Sequence, residues 1–409
     1  MSQFPLVKLS ELAEISGGIT KNSKRTTLPI QRPYLAVANV YANRLDLEKV
    51  STIGVNESEL KRAELKDGDL IVVEGNGSLS QLGRVALWRG EIKGCLHQNH
   101  LIKVRPGEEV ESKWILYWLM SPAGRRAIEA AGSSTSGLHT LSLSKVSSLP
   151  TPLAPKEDQY RAIAYIELHL SRLDETIATL QAIQAKLKQA RASILKAAVG
   201  VSITGERIKT DIECKPYFVK DICLSKPSNG KSVPTGNGFP VLRLTAMKDG
   251  KIDAAETKLG AWIEESAKPY AVQPGDFFVM RGNGSLGRVG DAAIATDSGI
   301  TAAFPDTMIR LQPNPQLCLP AYLLLCWRSP DMRSQIEQSA KTTAGIYKIN
   351  QRDISGYRIA LPAIESQRLI LQEVERRFSV LDQVEATVNA SLRRCGQLRQ
   401  AVLKRAFSV

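Results

Sequence analysis

Apolar residues in the first third of the chain come in short runs bounded by turn formers: Tyr34-Leu-Ala-Val-Ala38, Asp69-Leu-Ile-Val-Val73, Arg84-Val-Ala-Leu-Trp88 and Leu101 to Val104. Runs of this length, rich in β-branched residues, predict strands. Lys113 to Met120 is apolar on one side and stops at Ser121-Pro122, which predicts a helix; a second short helix is expected from Ala123 to Ala131. The same order returns with Val241 to Leu244, Asp276 to Met280, Met308 to Leu311, then Ala321 to Trp327 ahead of Ser329-Pro330. A mixed α/β domain is thus predicted twice.

From Glu157 the period changes from two to three and four. Ile163, Ile166, Leu170, Leu173, Ile177, Leu180, Leu187 and Ile194 form an a/d heptad seam. Adding 208 to that frame gives Leu371, Val374, Phe378, Leu381, Val388, Leu392, Cys395 and Val402. Two stripes of equal length predict two long helices that cover each other, rather than each lying on its own domain. Connectivity favours an antiparallel pair. The first helix ends near Gly200, Val201 to Pro216 enters the second domain, and the second helix runs to Val409. That pairing would put the domains at opposite ends, bring Val409 back toward Met1 and relate the halves by a pseudo-twofold axis. Polar residues interrupt the seam at Gln184, Arg191, Glu385 and Arg399, where opposite charges could fix the register.

Identities keep the same spacing. Gln159 matches Gln367 and Leu173-Asp174 matches Leu381-Asp382 at an offset of 208, while Gly68-Asp69 and Gly75-Asn-Gly-Ser78 match Gly275-Asp276 and Gly282-Asn-Gly-Ser285 at 207. The period is too long for a solenoid and describes a duplicated unit of domain plus helix. The expected fold class is α+β: two similar mixed α/β domains separated by two long helices in an antiparallel coiled coil. The expected boundaries are 1–154, 155–200, 201–362 and 363–409.

Charge narrows the partners. With 54 Lys+Arg against 41 Asp+Glu, the net charge of +13 favours a polyanion, nucleic acid first and an acidic membrane surface second. No apolar run approaches the roughly 18 residues of a membrane span, and Met1-Ser-Gln-Phe-Pro-Leu-Val-Lys-Leu lacks a signal-peptide layout, so a cytoplasmic location is expected. The six cysteines are scattered without zinc-ligand spacing, which predicts reduced thiols. In His97-Gln-Asn-His100 the alternation puts the two imidazoles on different faces, so no shared metal is expected.

Motifs for catalysis fail on inspection. Gly282-Asn-Gly-Ser-Leu-Gly287 spells a dinucleotide fingerprint, but Arg288 to Ala295 predicts a turn and a strand where a helix is required, and the first copy reads Gly75-Asn-Gly-Ser-Leu-Ser80. Both are expected to be hairpin loops with positive φ at Asn-Gly. Asn229-Gly-Lys-Ser232 lacks the leading glycine of a phosphate-binding loop, since Ser225 stands there. Gly68-Asp69 with Glu74 resembles a nuclease carboxylate pair only faintly, because the lysine is missing and Arg281 replaces Glu74 in the second copy. The two loops differ usefully: aligning Gly83-Arg84 with Gly287-Arg288 makes a Glu into an Arg and removes three residues. Polar variation on a repeated scaffold fits two domains reading different bases.

The order of these features resembles the specificity subunits of Type I restriction–modification enzymes. It is carried by Val7-Lys8-Leu9 and Val219-Lys220-Asp221, the two Gly-Asp strands, the turns Gly137-Leu-His and Gly345-Ile-Tyr, and the helix entries Pro155-Lys-Glu-Asp-Gln159 and Pro362-Ala-Ile-Glu-Ser-Gln367. Family members often have Glu-Gln adjacent, whereas one residue intervenes here. The resemblance implies a non-catalytic chain with two target recognition domains, each reading half of a bipartite asymmetric site in double-stranded DNA. It also implies helices that act as a ruler and dock two modification (methyltransferase) subunits, and through them restriction subunits. S-adenosylmethionine, ATP and Mg would sit on those partners, with no cofactor or metal in this chain. Ile163 to Ile194 spans about 47 Å at 1.5 Å per residue, or roughly 14 base pairs. Candidate DNA contacts are Lys21, Lys24, Arg25, Asn39, Asn76, Ser78, Gln81, Arg84, Gln98 and His139 in domain one, and Arg243, Lys248, Arg281, Asn283, Ser285, Arg288, Tyr347 and Lys348 in domain two. Two rival classes remain: a coiled-coil adaptor with two protein-binding domains, and an enzyme with an unrecognised site.

Overall fold

A computed structural model describes residues 4–135, 137–199, 213–297, 299–343 and 345–408. The expected links through Gly200 and Val201 to residue 212, and the ends at Met1 and Val409, lie outside the described residues. The chain divides into two compact units, residues 1–181 with 389–409, and residues 182–388. Each unit holds one mixed α/β domain and one segment of each long helix.

In the first unit the central sheet runs Ala13–Gly17, Leu101–Pro106, Leu70–Val73, Val85–Leu87, with every neighbouring pair antiparallel. Leu70–Val73 is buried on both faces, and its alternation divides two cores. Leu70 and Val72 join Trp114, Trp118 and the long helices, while Ile71 and Val73 join Trp88, Leu35 and Cys95. The second unit has a six-stranded sheet centred on Phe277–Met280, between Met308–Leu311 and Ala292–Ile294. Phe277 and Val279 face one core, Phe278 the other. Runs of apolar residues without polar alternation mark these strands as doubly covered. After each sheet come two helices, Ser112–Met120 and Pro122–Ala131, then Pro320–Trp327 and Pro330–Ser339. The Ser-Pro pair between them works alike in both copies: Ser121 and Ser329 accept the amides of Gly124 (3.1 Å) and Met332 (3.2 Å), and proline takes the first helical turn.

The long helices are Lys156–Val199 and Ile364–Ala406. Their segments run antiparallel in each unit. In the first, Asp174 pairs with Arg399, and Phe407 packs its ring at a tilt on Trp114 (4.7 Å) and edge-on to Trp118 (5.3 Å), both on the helix Ser112–Met120. In the second, Arg191 pairs with Asp382 and, at 2.8 Å, with Glu385. Asp174 and Arg191 become Asp382 and Arg399 on adding 208, so one ion pair is built twice. Two of the polar seam breaks, Arg191 and Glu385, thus meet as opposite charges. Both pairs are half-exposed and contribute about 0.2–1 kcal/mol each, so their effect is on register more than on stability. All sixteen seam positions are buried or half-buried. Beyond Cys395 the stripe drifts: Leu403 and Phe407 are buried more deeply than Val402, because the helix end faces the domain-one tryptophans and a straight helix precesses against a seven-residue repeat.

Each helix is tied to its own domain by a buried glutamine. Gln159 accepts the Glu111 amide (2.8 Å) and donates to Ala154 and Glu109 carbonyls. Gln367 accepts the Leu319 amide (3.0 Å) and donates to Leu317 and Pro362 carbonyls. The repeated Gly-Asp is structural too. Asp69 accepts the Lys66 amide at 2.7 Å and Asp276 the Gln273 amide at 2.9 Å, each closing the turn that enters its central strand. Arg105 grips Asp69 through two bonds of 2.7 Å, whereas Gln312 holds Asp276 at 3.1 Å. Burial raises the Asp276 pKa.

The two neighbouring histidines separate as expected. His100 is exposed against Glu74 (3.0 Å), while His97 is fully buried and its Nδ1 donates to the Ala63 carbonyl (3.0 Å). Burial pushes the His97 pKa down to about 4.

Two tests follow from these contacts. Replacing Gln367 by Ala orphans the Leu319 amide and two carbonyls and should destabilise the second unit by about 2–3 kcal/mol, read by chemical denaturation. His97 stays neutral when folded yet protonates near pH 6.5 when unfolded, so stability present above pH 6.5 is lost as pH falls toward 4. Between pH 7 and 5 this amounts to roughly 2 kcal/mol. Phe304 holds the equivalent place in the second domain, its carbonyl accepting the Lys231 amide as that of His97 accepts Ile19. His97→Phe should therefore flatten the fall in melting temperature of the first unit over that pH range.

Candidate nucleic-acid interface

Each domain carries a three-stranded antiparallel ribbon apart from its central sheet. In the first it consists of Gly75–Asn76, Leu138–Thr140 and Ser133–Thr135; in the second, of Gly282–Asn283, Ile346–Lys348 and Lys341–Thr343. The register places His139 opposite Asn76, and Tyr347 opposite Asn283 with Lys348 opposite Gly282. Candidates 63 and 64 residues apart in sequence are thereby brought side by side on one small β element.

The Asn-Gly segments correct the sequence expectation. Neither Asn76, Gly77, Asn283 nor Gly284 has positive φ. Asn76 and Asn283 end the short ribbon strand, and their Oδ1 atoms accept the amides of Ser78 and Ser285, both at 2.9 Å. A single-turn helix follows, Leu79–Gln81 and Leu286–Arg288. The positive φ falls later, at Gly83 (64°) and Gly290 (77°), whose amides donate to Val73 and Met280 carbonyls. A Cβ on either glycine would lie 2.7 Å from the Cγ2 of Ile128 or Ile336. These glycines are therefore equivalent and the two turns are equal in length: no residues are lost between copies. Gln81 corresponds to Arg288, and Arg84 to Asp291. The earlier alignment of Gly83-Arg84 with Gly287-Arg288 followed identity, where backbone geometry pairs Gly83 with Gly290.

Glu74 and Arg281 do occupy the same place. Their amides take the His100 and Thr307 carbonyls, and their carbonyls accept Leu141 and Ile349. Fixed backbone thus carries opposite charge. Glu74 faces His100, while Arg281 donates weakly to the Asp306 carbonyl at 3.4 Å.

The remaining candidates fall into three groups. Ser78, Gln81, Ser285, Arg288 and Lys348 are exposed on or beside the ribbon, and Arg84 is half-buried near Tyr41. Lys21 and Lys24 are exposed around the turn Ser23–Thr27, Gln98 is half-buried where it bridges to Ile19 ahead of that turn, Arg243 is exposed just after the strand Thr235–Leu242 and donates to the Thr257 carbonyl, and Lys248 is exposed on the short strand Met247–Lys248. Asn39 and Arg25 are occupied within the fold. Asn39 is buried, accepting the Ala36 amide and donating to Asp46 and Lys49 carbonyls, so it shapes its own loop instead of facing a ligand. Arg25 makes two bonds to Glu59 and further bonds to Thr20 and Gly54 carbonyls. Sequence reasoning missed Arg125 and Arg333, which hold the turn from behind; their shared offset of 208 was the available signal.

The dinucleotide alternative finds no helix after its glycines, only the single turn and the strand Ala292–Ile294. Lys231 and Ser232 of the phosphate-loop lookalike likewise precede a strand. Among the described residues no group of three His, Cys, Asp or Glu side chains could hold a metal ion, and no helix is long and apolar enough to cross a membrane.

No protein-family model matches the chain. It is 25% identical to the Type I restriction enzyme EcoKI specificity subunit of Escherichia coli (strain K12), over 98% of this chain and 88% of that one. Against the StySPI specificity subunit of Salmonella potsdam it is also 25% identical, over 98% and 87%. The chain is a relative of the Type I restriction specificity subunits. Its fold is that of the HsdS subunit from Thermoanaerobacter tengcongensis, with a TM-score of 0.57 over 99% of this chain and 96% of that one at 17% identity. A chain solved in a study of complex assembly and conformational transition in the type I R-M system superposes with a TM-score of 0.77, covering 99% and 97% at 16% identity.

Gly83→Ala combines positive φ with a 2.7 Å clash. It should cost roughly 2 kcal/mol or more and loosen the turn on its helix. Amide hydrogen exchange at residues 79–83, faster than in the unaltered chain, checks it.

Proposed function

We propose that this chain is the DNA sequence-recognition subunit of a Type I restriction–modification complex. Each domain reads one half of a bipartite asymmetric target in double-stranded DNA, and the antiparallel helices set the spacing between the halves. The observation that carries this reading is the duplicated ribbon. Its framework residues, Asn76 with Asn283 and Gly83 with Gly290, do the same work in both copies, while its outward polar residues differ: Glu74 against Arg281, Gln81 against Arg288, His139 against Tyr347. A scaffold held constant under changed hydrogen-bonding groups is what two different base readings require. A protein-binding adaptor gives no reason for that contrast, and the net charge of +13 favours a polyanion over a peptide.

The chain itself is the non-catalytic component in this reading and acts in the cytoplasm. Its helices dock two methyltransferase subunits, which bring S-adenosylmethionine, and through them restriction subunits that use ATP and Mg. Exposed lysines such as Lys21, Lys24 and Lys348 suit phosphate contacts, which position the domain, while Arg and Gln on the ribbon suit base edges.

Selection from a randomised duplex library by the chain co-expressed with its methyltransferase subunit, at physiological salt, tests the proposal. The expected result is one asymmetric motif, two short blocks around an unread gap of fixed length. Binding that recovers no motif and tracks salt alone would replace sequence recognition with the adaptor reading.

A further inference from the structure

The single-turn helix at the tip of each ribbon is held from behind in the same way by one helix. In the first domain Arg125 donates to the carbonyls of Leu82 (2.6 Å), Ser80 (3.3 Å) and Leu79 (3.4 Å). In the second, Arg333 donates to those of Val289 (2.7 Å), Leu286 (3.3 Å) and Gly287 (3.5 Å). These are the same three positions of the turn. Each guanidinium is braced one helical turn on by an ion pair, Arg125 with Glu129 at 3.6 Å and Arg333 with Glu337 at 3.0 Å. Between them Ile128 and Ile336 press against the bare backbone of Gly83 and Gly290. A planar fork that gathers three carbonyls fixes a turn in both position and rotation, which a lysine's single ammonium does not do.

With its backbone fixed on one side, the turn presents its other side to solvent. Its one long polar side chain there is Gln81 in the first domain and Arg288 in the second; both are exposed. Gln81 and Arg288 are the residues whose own carbonyls the clamp does not take. Arg288 has only a loose, exposed ion pair to Asp291, at 3.6 Å.

We propose that the clamped turn is a base-reading element, with residue 81 in domain one and residue 288 in domain two as its specificity-determining position and Arg125 and Arg333 as positioning residues. This rests on the DNA-recognition function above and deepens it. Glutamine pairs with the N6 and N7 edge of adenine, and arginine with O6 and N7 of guanine. Domain one thus reads an adenine with this turn, and domain two a guanine.

The test is duplex selection with the full chain and its methyltransferase subunit, comparing the unaltered chain with Gln81→Arg, Arg288→Gln and Arg125→Lys. Gln81→Arg should convert one adenine to guanine in one block by about 10-fold or more in preference, leaving the other block and the gap unchanged. Arg288→Gln should make the converse change in the opposite block. Arg125→Lys should blur only the block that Gln81→Arg alters; a merely structural role would lower the melting temperature and weaken both blocks alike. A clear motif from the unaltered chain that Gln81→Arg and Arg288→Gln leave intact overturns the assignment alone. No motif from the unaltered chain overturns the recognition function and the assignment with it. Blurring of both blocks by Arg125→Lys overturns the positioning role.

Discussion

Neither long helix can bury its apolar stripe by itself, and that constraint shapes both units. Helices of 44 and 43 residues expose a seam along their full length unless another surface covers it. Each unit supplies that surface twice over. The helix leaving the domain packs against an antiparallel segment of the other helix, and the end of that other helix enters the domain core. Phe407 and Leu403 complete the first core, and Ile194, Leu195 and Val199 pack on the second. An aromatic side chain buried as Phe407 is contributes about 3 kcal/mol or more. The end of each helix is thus part of a core belonging to the other half of the sequence, and each core is complete only when both halves have folded.

The same economy appears at the ribbon. The central strands are fixed by burial on both faces, the helix after Ser121 or Ser329 is fixed by its cap, and that helix in turn fixes the turn through one arginine and one isoleucine. Three carbonyls of the turn and the amide of its glycine are therefore committed before a ligand arrives, whereas Gln81 and Arg288 point outward without holding the scaffold. Residues of this kind can change between copies without disturbing the fold, as Gln81 and Arg288, or Glu74 and Arg281, have. Residues such as Asn39 and Arg25 cannot, because their polar groups close loops of the scaffold.

The period in the sequence made much of this legible. Identities recurring at 207 and 208, with a heptad seam repeated in the same frame, were enough for the duplicated domains and the two helices, and the connectivity between them for their antiparallel sense. The strands Leu70–Val73 and Phe277–Met280, and the helices after each sheet, were readable as apolar runs bounded by turn residues. The site was less so. Asn76 and His139, or Asn283 and Tyr347, were each singled out, but nothing in a linear pattern says that a two-residue strand pairs with a hairpin 63 or 64 residues later. The equal length of the two turns was hidden for a related reason: Gly287-Arg288 looks like Gly83-Arg84, yet only a backbone with positive φ against Ile128 and Ile336 identifies which glycine is which.

What the sequence alone determined was periodic, because burying one face of a helix or strand requires apolar residues at a fixed spacing and leaves that spacing in the chain. The two domains and the paired helices belong to this class, while the basic character was legible from composition alone. What only the tertiary structure decided were single contacts between distant positions: Arg191 with Glu385, Phe407 on Trp114, Gln159 beneath Glu111, and Arg125 behind the turn. A hydrogen bond needs a partner in one place and one orientation, which depends on how every intervening element packs, so a repeated offset can mark the residue but not its partner.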